Sequence, residues 1–323
     1  MLRRGCLLAA LVAAALVVAG GIFLGGWFVS GPLEKDLNFT VPGGASLSSV
    51  AQKLEGEGAI KSAKTFGLRA RIFGGGAPIK AGEFLLPERA SESRILSIIQ
   101  SDDVIRRFVT IPEGMPSIMV HERLMAQPLL TGDVAVPQEG SVLPDSYDFQ
   151  RGESRADVLR RMQAAMQRTL AELWAKRGQS IAVKTPEEAL VLASIVEKET
   201  GKPSERRLVA GLYSNRLKKG MMLQADPTII YPITRGKPLG RRIRQSEIQA
   251  VNDYNTYAMM GLPKGPITNP GRESIAAVLN PAKTNALYMV ADGTGGHVFA
   301  DTLEQHNANV AKWFAIRRAR GEL

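Results

Sequence analysis

Hydrophobic positions between Leu190 and Thr200, LVLASIVEKET, follow a helical repeat that ends abruptly in two carboxylates and a hydroxyl. Pro186 suits the first turn of a helix, because proline lacks only an amide that would be unpaired there. Gly201 and Pro203 are residues that typically stop a helix. The pattern therefore predicts a helix that begins at Pro186 and ends near Thr200.

Two acidic residues near the end of this helix, Glu197 and Glu199, fall on different faces. Because each residue is turned by about 100° from the last, Glu199 shares a stripe with three apolar residues, Leu192, Ile195 and Val196. Burial disfavours a charged carboxylate and raises its pKa toward the range of a general acid. Glu199 is therefore the first catalytic candidate. The alternative is that both glutamates form the solvated end of a core helix.

Helical and strand-like patterns recur along the rest of the chain. We predict helices at Ala63 to Arg71, Ser91 to Gln100, about Arg155 to Lys176 and Glu205 to Leu217, with a short strand at Ala81 to Leu86. From Leu217 to residue 272 the pattern indicates mostly loop. A loop region of this length inside a compact domain usually carries function.

The segment that begins at Thr40, TVPGGASLSSVAQKL, is similar to the one that begins at Thr110, TIPEGMPSIMVHERL. Threonine, proline, glycine, valine and leucine recur at a constant offset of seventy residues. Each copy combines a β-branched start, a Pro/Gly turn and apolar residues at i, i+4 spacing. We therefore predict two strand-turn-helix units of the same shape, and we place a domain boundary near residue 105.

An uncharged stretch runs from Gly5 to Gly31 and follows Arg3 and Arg4. Its central part, Leu7 to Val29, is long enough at about 1.5 Å per residue to cross a bilayer. We interpret it as a single membrane helix, and the alternative is a cleaved signal peptide. The positive-inside rule keeps the two arginines in the cytoplasm and sends everything after residue 30 across the membrane.

With 323 residues, of which 45% are hydrophobic and 22% charged, the chain has a globular composition and room for two domains. Its single cysteine, Cys6, indicates neither a disulfide framework nor a lipoprotein attachment site. The net charge of +10 suits an anionic surface or polymer. The arginine clusters at 241–244 and 317–320 lack the interleaved aromatic residues that stack on bases, so we expect no nucleic-acid partner.

Polar and aromatic residues cluster in three later segments, LQADPTIIY, YNTY and GLPKGPITNPG. Amide and phenol groups beside flat aromatic faces suit an uncharged sugar polymer, because they bind hydroxyl and acetamido groups and stack on sugar rings. The members of the cluster include Gln224, Asp226, Tyr231, Tyr254, Asn255 and Asn269. Taken singly, each aromatic residue also suits a core, and Asp226 before a proline also suits a turn.

Other chemistries find less support in the sequence. His121, His297 and His306 lack the spacing of metal ligands and have no cysteine companions, so we expect neither a metal nor a cofactor. Serine nucleophile motifs and phosphate-binding loops are absent from the sequence. Acid/base chemistry by a carboxyl group remains.

The ordered motifs ASIVEKET, NRL at 215–217, LQADPT, YNTY, GLPKGPITNPG and ADGTGGHVF resemble the signatures of the MltG-type (YceG-like) endolytic murein transglycosylases. The resemblance implies an α+β protein of the bacterial inner membrane with three parts. These are a cytoplasmic tip and transmembrane helix (1–30), a small LysM-like module (38–105), and a larger periplasmic catalytic domain of mixed helices and strands (106–323). Two small departures are Lys264 after Pro263 and Val142 in place of an aromatic residue.

The resemblance places the catalytic glutamate at Glu199, in agreement with the helical-face argument. It implies an acid that protonates the oxygen between N-acetylmuramic acid and N-acetylglucosamine and then takes the proton of the muramic acid C6 hydroxyl, which leaves a 1,6-anhydro end. Thr200 resembles the hydroxyl residue that follows the acid in other lytic transglycosylases and helps to hold it. Further contacts with substrate are expected from Glu197, Gln224, Asp226, Tyr231, Tyr254, Asn255 and Asn269.

Two alternatives to this function stay open at the level of sequence. A muramidase that uses water, with Asp226 as the second carboxylate, would release reducing ends instead of anhydro ends. A wall-binding scaffold without catalysis would keep all function after Glu199→Ala. The expected partners are peptidoglycan strands, the inner membrane and peptidoglycan synthases.

Overall fold

The computed structural model describes residues 2–322, without the side chains of residues 2–10 and 12. The fold is α+β, and the chain divides into two compact units, Met1–Arg107 and Phe108–Leu323. The sequence pattern had placed a boundary near residue 105. In the described residues, helices outnumber strands, and the strands form three two-stranded sheets.

The first unit begins with an N-terminal helix, which is followed along the chain by a two-stranded sheet and three short helices. Its elements are α1 (Leu2–Phe28), β1 (Leu37–Val41), α2 (Leu47–Gly56), α3 (Ala63–Phe73), β2 (Gly82–Leu86) and α4 (Glu92–Gln100). Strands β1 and β2 are antiparallel, with Phe39 opposite Phe84. Both rings are fully buried, together with Leu54 and Phe66. The predicted cap of α4 is present, since the Ser91 hydroxyl accepts the Arg94 amide at 3.2 Å.

The C-terminal end of α1 packs onto this unit. Trp27 is only 4% exposed, and its ring centroid lies 6.1 Å from those of Phe66 and Phe73. The predicted membrane helix, Leu7 to Val29, falls partly on residues whose side chains lie outside the described set. Among the residues that the structure describes, no helix is both long enough and apolar enough to span a membrane.

The second unit is mainly helical. Its elements are β3 (Arg107–Thr110, which starts at the end of the first unit), α5 (Ser117–Met125), β4 (Ser146–Phe149), α6 (Arg155–Ala175), α7 (Pro186–Glu199), α8 (Arg206–Lys218), α9 (Asp226–Thr234), α10 (Gln245–Ile248), α11 (Arg272–Leu279), β5 (Tyr288–Ala291), β6 (His297–Ala300) and α12 (Leu303–Ala319). Strand β3 pairs with β4, and β5 pairs antiparallel with β6. Helix α7 contacts α6, α8, α9 and α11, so it lies at the centre of the unit.

The predicted repeat is confirmed, because β1 with α2 and β3 with α5 are both strand-turn-helix units at the seventy-residue offset. The turn glycines adopt the same left-handed conformation, with φ of 73° at Gly44 and 70° at Gly114. A basic side chain of each helix also donates to the strand. Lys53 Nζ contacts the Thr40 carbonyl oxygen at 2.5 Å, and Arg123 Nη1 contacts that of Thr110 at 2.7 Å.

The prediction of mostly loop between Leu217 and residue 272 was wrong for α9 and α10. Helix α9 was not predicted because its sequence contains two prolines. Pro227 lies in its first turn, where the missing amide costs nothing, and Pro232 lies inside it, where a proline normally kinks or ends a helix. Helix α9 continues past Pro232 to Thr234 and is capped by Arg235, which has a left-handed φ of 54° and donates its amide to the Tyr231 carbonyl oxygen at 2.8 Å.

Candidate active site

Helix α7 carries Glu199 as its last residue. The helix begins as predicted, with Pro186 in the first turn and the Thr185 hydroxyl accepting the Glu188 amide at 3.1 Å. The apolar stripe that Glu199 shares is buried, since Leu192 and Ile195 are fully inaccessible to solvent. Thr200 has an extended backbone, so the helix ends at Glu199, on the same stripe as these buried residues.

The Glu199 carboxyl lies in surroundings that favour its protonated form. Its pKa is raised to about 7, first by burial and then by the negative charge of Asp226. The nearby Tyr213 hydroxyl and Arg216 guanidinium favour the charged form and offset part of this rise. Oε1 of Glu199 is buried and has no hydrogen-bond partner among the residues that the structure describes. A protonated carboxyl with one unused oxygen suits donation of a proton to a ligand.

A cavity of about 390 Å³ contains this carboxyl. Its apolar wall comes from α8, α9, β5 and Leu223, and its other polar residues are Lys198, Tyr213, Arg216, Gln224, Asp226, Tyr257 and His297. In the described part of the chain, no group of three or more His, Cys, Asp or Glu side chains could hold a metal ion. The cavity therefore places two carboxyl groups, those of Glu199 and Asp226, among other hydrogen-bonding groups, which is an arrangement for proton transfer to a polar ligand.

Two of the predicted supporting residues, Gln224 and Asp226, lie in this cavity with Glu199. Gln224 has a left-handed φ of 52°, which is uncommon outside glycine, and its amide is held by the Thr256 carbonyl oxygen at 3.1 Å. Asp226 begins α9 and accepts the Tyr257 hydroxyl at 2.7 Å. Both side chains are exposed, so they are available to a ligand.

Five polar residues of the cavity were not predicted as site residues from the sequence. Four of them lie in the quoted motifs ASIVEKET, NRL, YNTY and ADGTGGHVF, so the motifs themselves were the available signal; they are Lys198, Arg216, Tyr257 and His297. Tyr213 is fully buried and belongs to no motif. Its spacing of three residues from Arg216 places both on one face of α8 and could have identified it.

Two predicted residues next to the acid, Thr200 and Glu197, make hydrogen bonds within the protein. The Thr200 hydroxyl accepts the Lys202 amide at 3.1 Å and lies 3.4 Å from Glu205 Oε2, so it does not hold the Glu199 carboxyl. Glu197 accepts the Gly271 amide at 2.9 Å, and its side chain is only 6% exposed. Helical spacing showed that Glu197 and Glu199 diverge, but it could not show that Glu197 binds the start of α11.

The two predicted asparagines also differ from expectation, because both are fully buried and bound to the protein backbone. Asn255 Nδ2 donates to three carbonyl oxygens at the end of α10, those of Glu247, Ile248 and Ala250. Asn269 Oδ1 accepts the Val142 amide at 3.0 Å, and its Nδ2 donates to the Met115 carbonyl oxygen at 2.9 Å. Neither side chain lines the Glu199 cavity.

The predicted aromatic pair, Tyr231 and Tyr254, lies outside the Glu199 cavity. Their ring centroids are 4.8 Å apart, and both residues line a different cavity of about 490 Å³. Glu139 lies on the same cavity, and burial raises its pKa. The two rings are neighbours on a cavity other than that of Glu199, and their contact with substrate stays a prediction.

The chain is similar to known proteins over most of its length. The YceG-like family matches residues 39–312. A Bacillus subtilis (strain 168) protein named endolytic murein transglycosylase is 26% identical over 322 residues, covering 88% of each chain. A Streptococcus pneumoniae protein of the same name is 27% identical over 86% of this chain, which spans 58% of that protein's length. A crystal structure of a YceG-like protein from Listeria monocytogenes aligns with a TM-score of 0.53 and 26% identity over 85% of this chain and 98% of that one.

Proposed function

Because the chain belongs to the YceG-like family, we propose that it is a lytic transglycosylase that cleaves the glycan strands of peptidoglycan. The observation that carries the proposal is the Glu199 carboxyl, which ends a buried helix in an open cavity with a pKa raised to about 7. The names of the bacillar and streptococcal relatives support the same activity.

In the proposed reaction, protonated Glu199 donates to the oxygen that links N-acetylmuramic acid to N-acetylglucosamine. The bond from that oxygen to the muramic acid C1 breaks, and the C6 hydroxyl of the same sugar attacks C1 and loses its proton to the carboxylate of Glu199 that the first step forms. The product is a 1,6-anhydro ring, and no water is consumed. Gln224 and Asp226 line the same cavity, and we assign them contacts with the acetamido group and the positive charge that develops at C1.

The finer parts of the proposal concern where and how the chain acts. We assign it endolytic cleavage of nascent strands, which limits their elongation, and an anchor in the inner membrane with the catalytic domain in the periplasm. The anchor rests on the uncharged stretch from Gly5 to Gly31 and on Arg3 and Arg4 before it. The LysM-like assignment of residues 38–105 and the partnership with peptidoglycan synthases rest on the resemblance of the motifs.

We expect the full chain to behave as an integral membrane protein with an uncleaved N-terminus. Membranes from cells that make it should retain the chain in alkaline carbonate and release it in detergent, because an apolar helix is not extracted by breaking ionic contacts. A variant that lacks residues 1–30 serves as the control and should be found in the soluble fraction. A mature N-terminus near Gly31 would contradict the anchor.

The activity itself is tested with uncrosslinked glycan strands and the purified chain. Mass spectrometry should find new fragments that end in 1,6-anhydro-N-acetylmuramic acid, with internal cleavage products before monomer-sized ones. Unchanged strands after prolonged incubation would contradict the proposed function and favour the scaffold.

A muramidase is the second candidate, because Asp226 places a second carboxylate near the acid and its charge raises the pKa of Glu199. In that mechanism Asp226→Asn would abolish cleavage, whereas in the transglycosylase it should keep the anhydro products. We expect the anhydro products to persist and the rate to fall by about 10-fold or less. Reducing ends from the parent chain, together with an inactive Asp226→Asn, would establish the muramidase.

The rate of cleavage should fall as pH rises above neutrality. Glu199 must be protonated to act, and its pKa is raised to about 7, so each further pH unit should lower kcat about tenfold. In Asp226→Asn the same fall should begin at a lower pH, because the charge that raises the Glu199 pKa is gone. A pH–rate profile of both proteins with one strand preparation measures this. A fall that begins at the same pH in both would contradict the assignment.

A further inference from the structure

One histidine of the Glu199 cavity, His297, is held by a carboxylate on its other side. His297 Nδ1 lies 2.8 Å from Glu205 Oε2, and the His297 backbone amide donates to Glu205 Oε1 at 3.0 Å. The two side chains are 19% and 13% exposed. Glu205 thus binds the histidine at two points and fixes its position at the start of β6.

The turn before His297, between β5 and β6, lies close to the Glu205 carboxylate. Asp292 accepts the amides of Thr294 and Gly296, at 2.6 and 3.0 Å, and closes the β5–β6 turn. A side chain at Gly296 would displace Glu205 Oε1 and Lys202 Nζ from their present positions. The carboxylate that holds His297 is therefore packed closely against this turn.

The contact with Glu205 decides which ring nitrogen of His297 is free. A carboxylate only accepts hydrogen bonds, so Nδ1 carries the proton that points at Glu205. In the neutral imidazole the other nitrogen, Nε2, is then an acceptor. His297 lines the cavity that holds Glu199. Its Nε2 can therefore act as a base toward a ligand bound there.

We propose that His297 is a second catalytic residue, which accepts the proton of the muramic acid C6 hydroxyl while Glu199 protonates the leaving oxygen. The inference rests on the proposed function. In this proposal Glu199 is the acid and His297 is the base, so one glutamate no longer performs both proton transfers. Both residues line one cavity, and Glu205 is the positioning residue of the base.

The step balances in atoms and charge. The Glu199 proton moves to the glycosidic oxygen, and the C1–O bond breaks with its electron pair on that oxygen. The C6 oxygen forms the new bond to C1 and loses its proton to His297 Nε2. Glu199 ends as a carboxylate and His297 as an imidazolium, and exchange with water restores both groups before the next cleavage.

The test compares variants of the full chain on uncrosslinked glycan strands. His297→Asn keeps a donor near the position of Nδ1 for Glu205 but has no group at Nε2, so it separates the base from the structural contact. His297→Ala leaves space for free imidazole, which can replace the missing base. His121→Ala on α5 is the matched control, because His121 is outside the cavity.

We expect both His297 variants to lose about 100-fold in kcat with KM changed less than about twofold, while His121→Ala matches the parent. Imidazole should restore His297→Ala by about tenfold and leave the parent unchanged. Parent rates in His297→Asn, or no rescue of His297→Ala, would overturn the role of His297 while the anhydro products of the parent still support the proposed function. A parent that forms no anhydro ends would overturn both.

Discussion

Glu199→Gln is expected to fold normally and to lose cleavage by about 10²–10⁴-fold or more. Glutamine keeps the size of the side chain and an oxygen acceptor, but it cannot deliver a proton to the glycosidic oxygen, and general acid assistance is typically worth about this factor. The measurement is the rate of formation of anhydro ends from uncrosslinked strands, with the circular dichroism spectrum as the check on folding.

The same helix provides two controls for this substitution. Glu187→Gln changes an exposed carboxylate in the first turn of α7 and should leave the rate unchanged. Glu197→Gln should keep most of the activity, because the glutamine oxygen can still accept the Gly271 amide. An inactive Glu197→Gln beside an active Glu199→Gln would move the catalytic role two residues back along the helix.

A stability measurement on Glu199→Gln separates the catalytic acid from a structural one. The carboxyl has a pKa near 4.5 when unfolded and about 7 when folded, so its favourable contribution is complete below pH 4.5 and is lost as pH rises through 7. Above pH 7 the variant should therefore be more stable than the parent, by up to about 3 kcal/mol. A substitution that increases stability while it removes activity is typical of a desolvated catalytic group.

Asn269→Ala should lower the free energy of unfolding by about 2–4 kcal/mol. The substitution leaves the buried Val142 amide and Met115 carbonyl without the side chain that joins them. At a temperature where the variant is folded, its rate of cleavage should stay within about threefold of the parent, because Asn269 does not line the Glu199 cavity. Urea denaturation and the strand assay measure the two effects separately.

The neighbouring Thr268 is the matched control for this experiment. It is equally buried, and its hydroxyl has no hydrogen-bond partner among the described residues. Thr268→Val should therefore change the free energy of unfolding by less than about 1 kcal/mol. A stable Asn269→Ala that has lost activity would instead support a contact between Asn269 and the substrate.

The parts of the molecule that the sequence predicted are those that depend on local periodicity. The helix that starts at Pro186, the burial of the stripe that ends in Glu199, and the two strand-turn-helix units all follow from spacing and turn residues. The burial that raises the pKa of Glu199 was predictable for the same reason. Such features require no knowledge of which distant segments meet.

The parts that could not be predicted depend on contacts between distant segments. A buried asparagine that binds backbone groups has the same sequence as one that binds a sugar, and the partners of Asn269 are Met115 and Val142, more than a hundred residues away. The placement of Tyr231 in a second cavity has the same origin, since it depends on the direction of α9. The sequence did not predict that helix, because Pro232 lies inside it and a proline there normally indicates a kink or an end.

The two strand-turn-helix units also differ in how much change their turns tolerate. Both share a left-handed glycine and a basic contact from helix to strand at the same offset. In the second copy Gly114 donates to Asn269 at 3.0 Å and packs on the side chain of Glu197, while a side chain at Gly44 of the first copy would meet open space. Beyond the left-handed conformation that both glycines adopt, the surroundings therefore restrict substitution in the second turn and not in the first, because only the second turn lies against the end of helix α7.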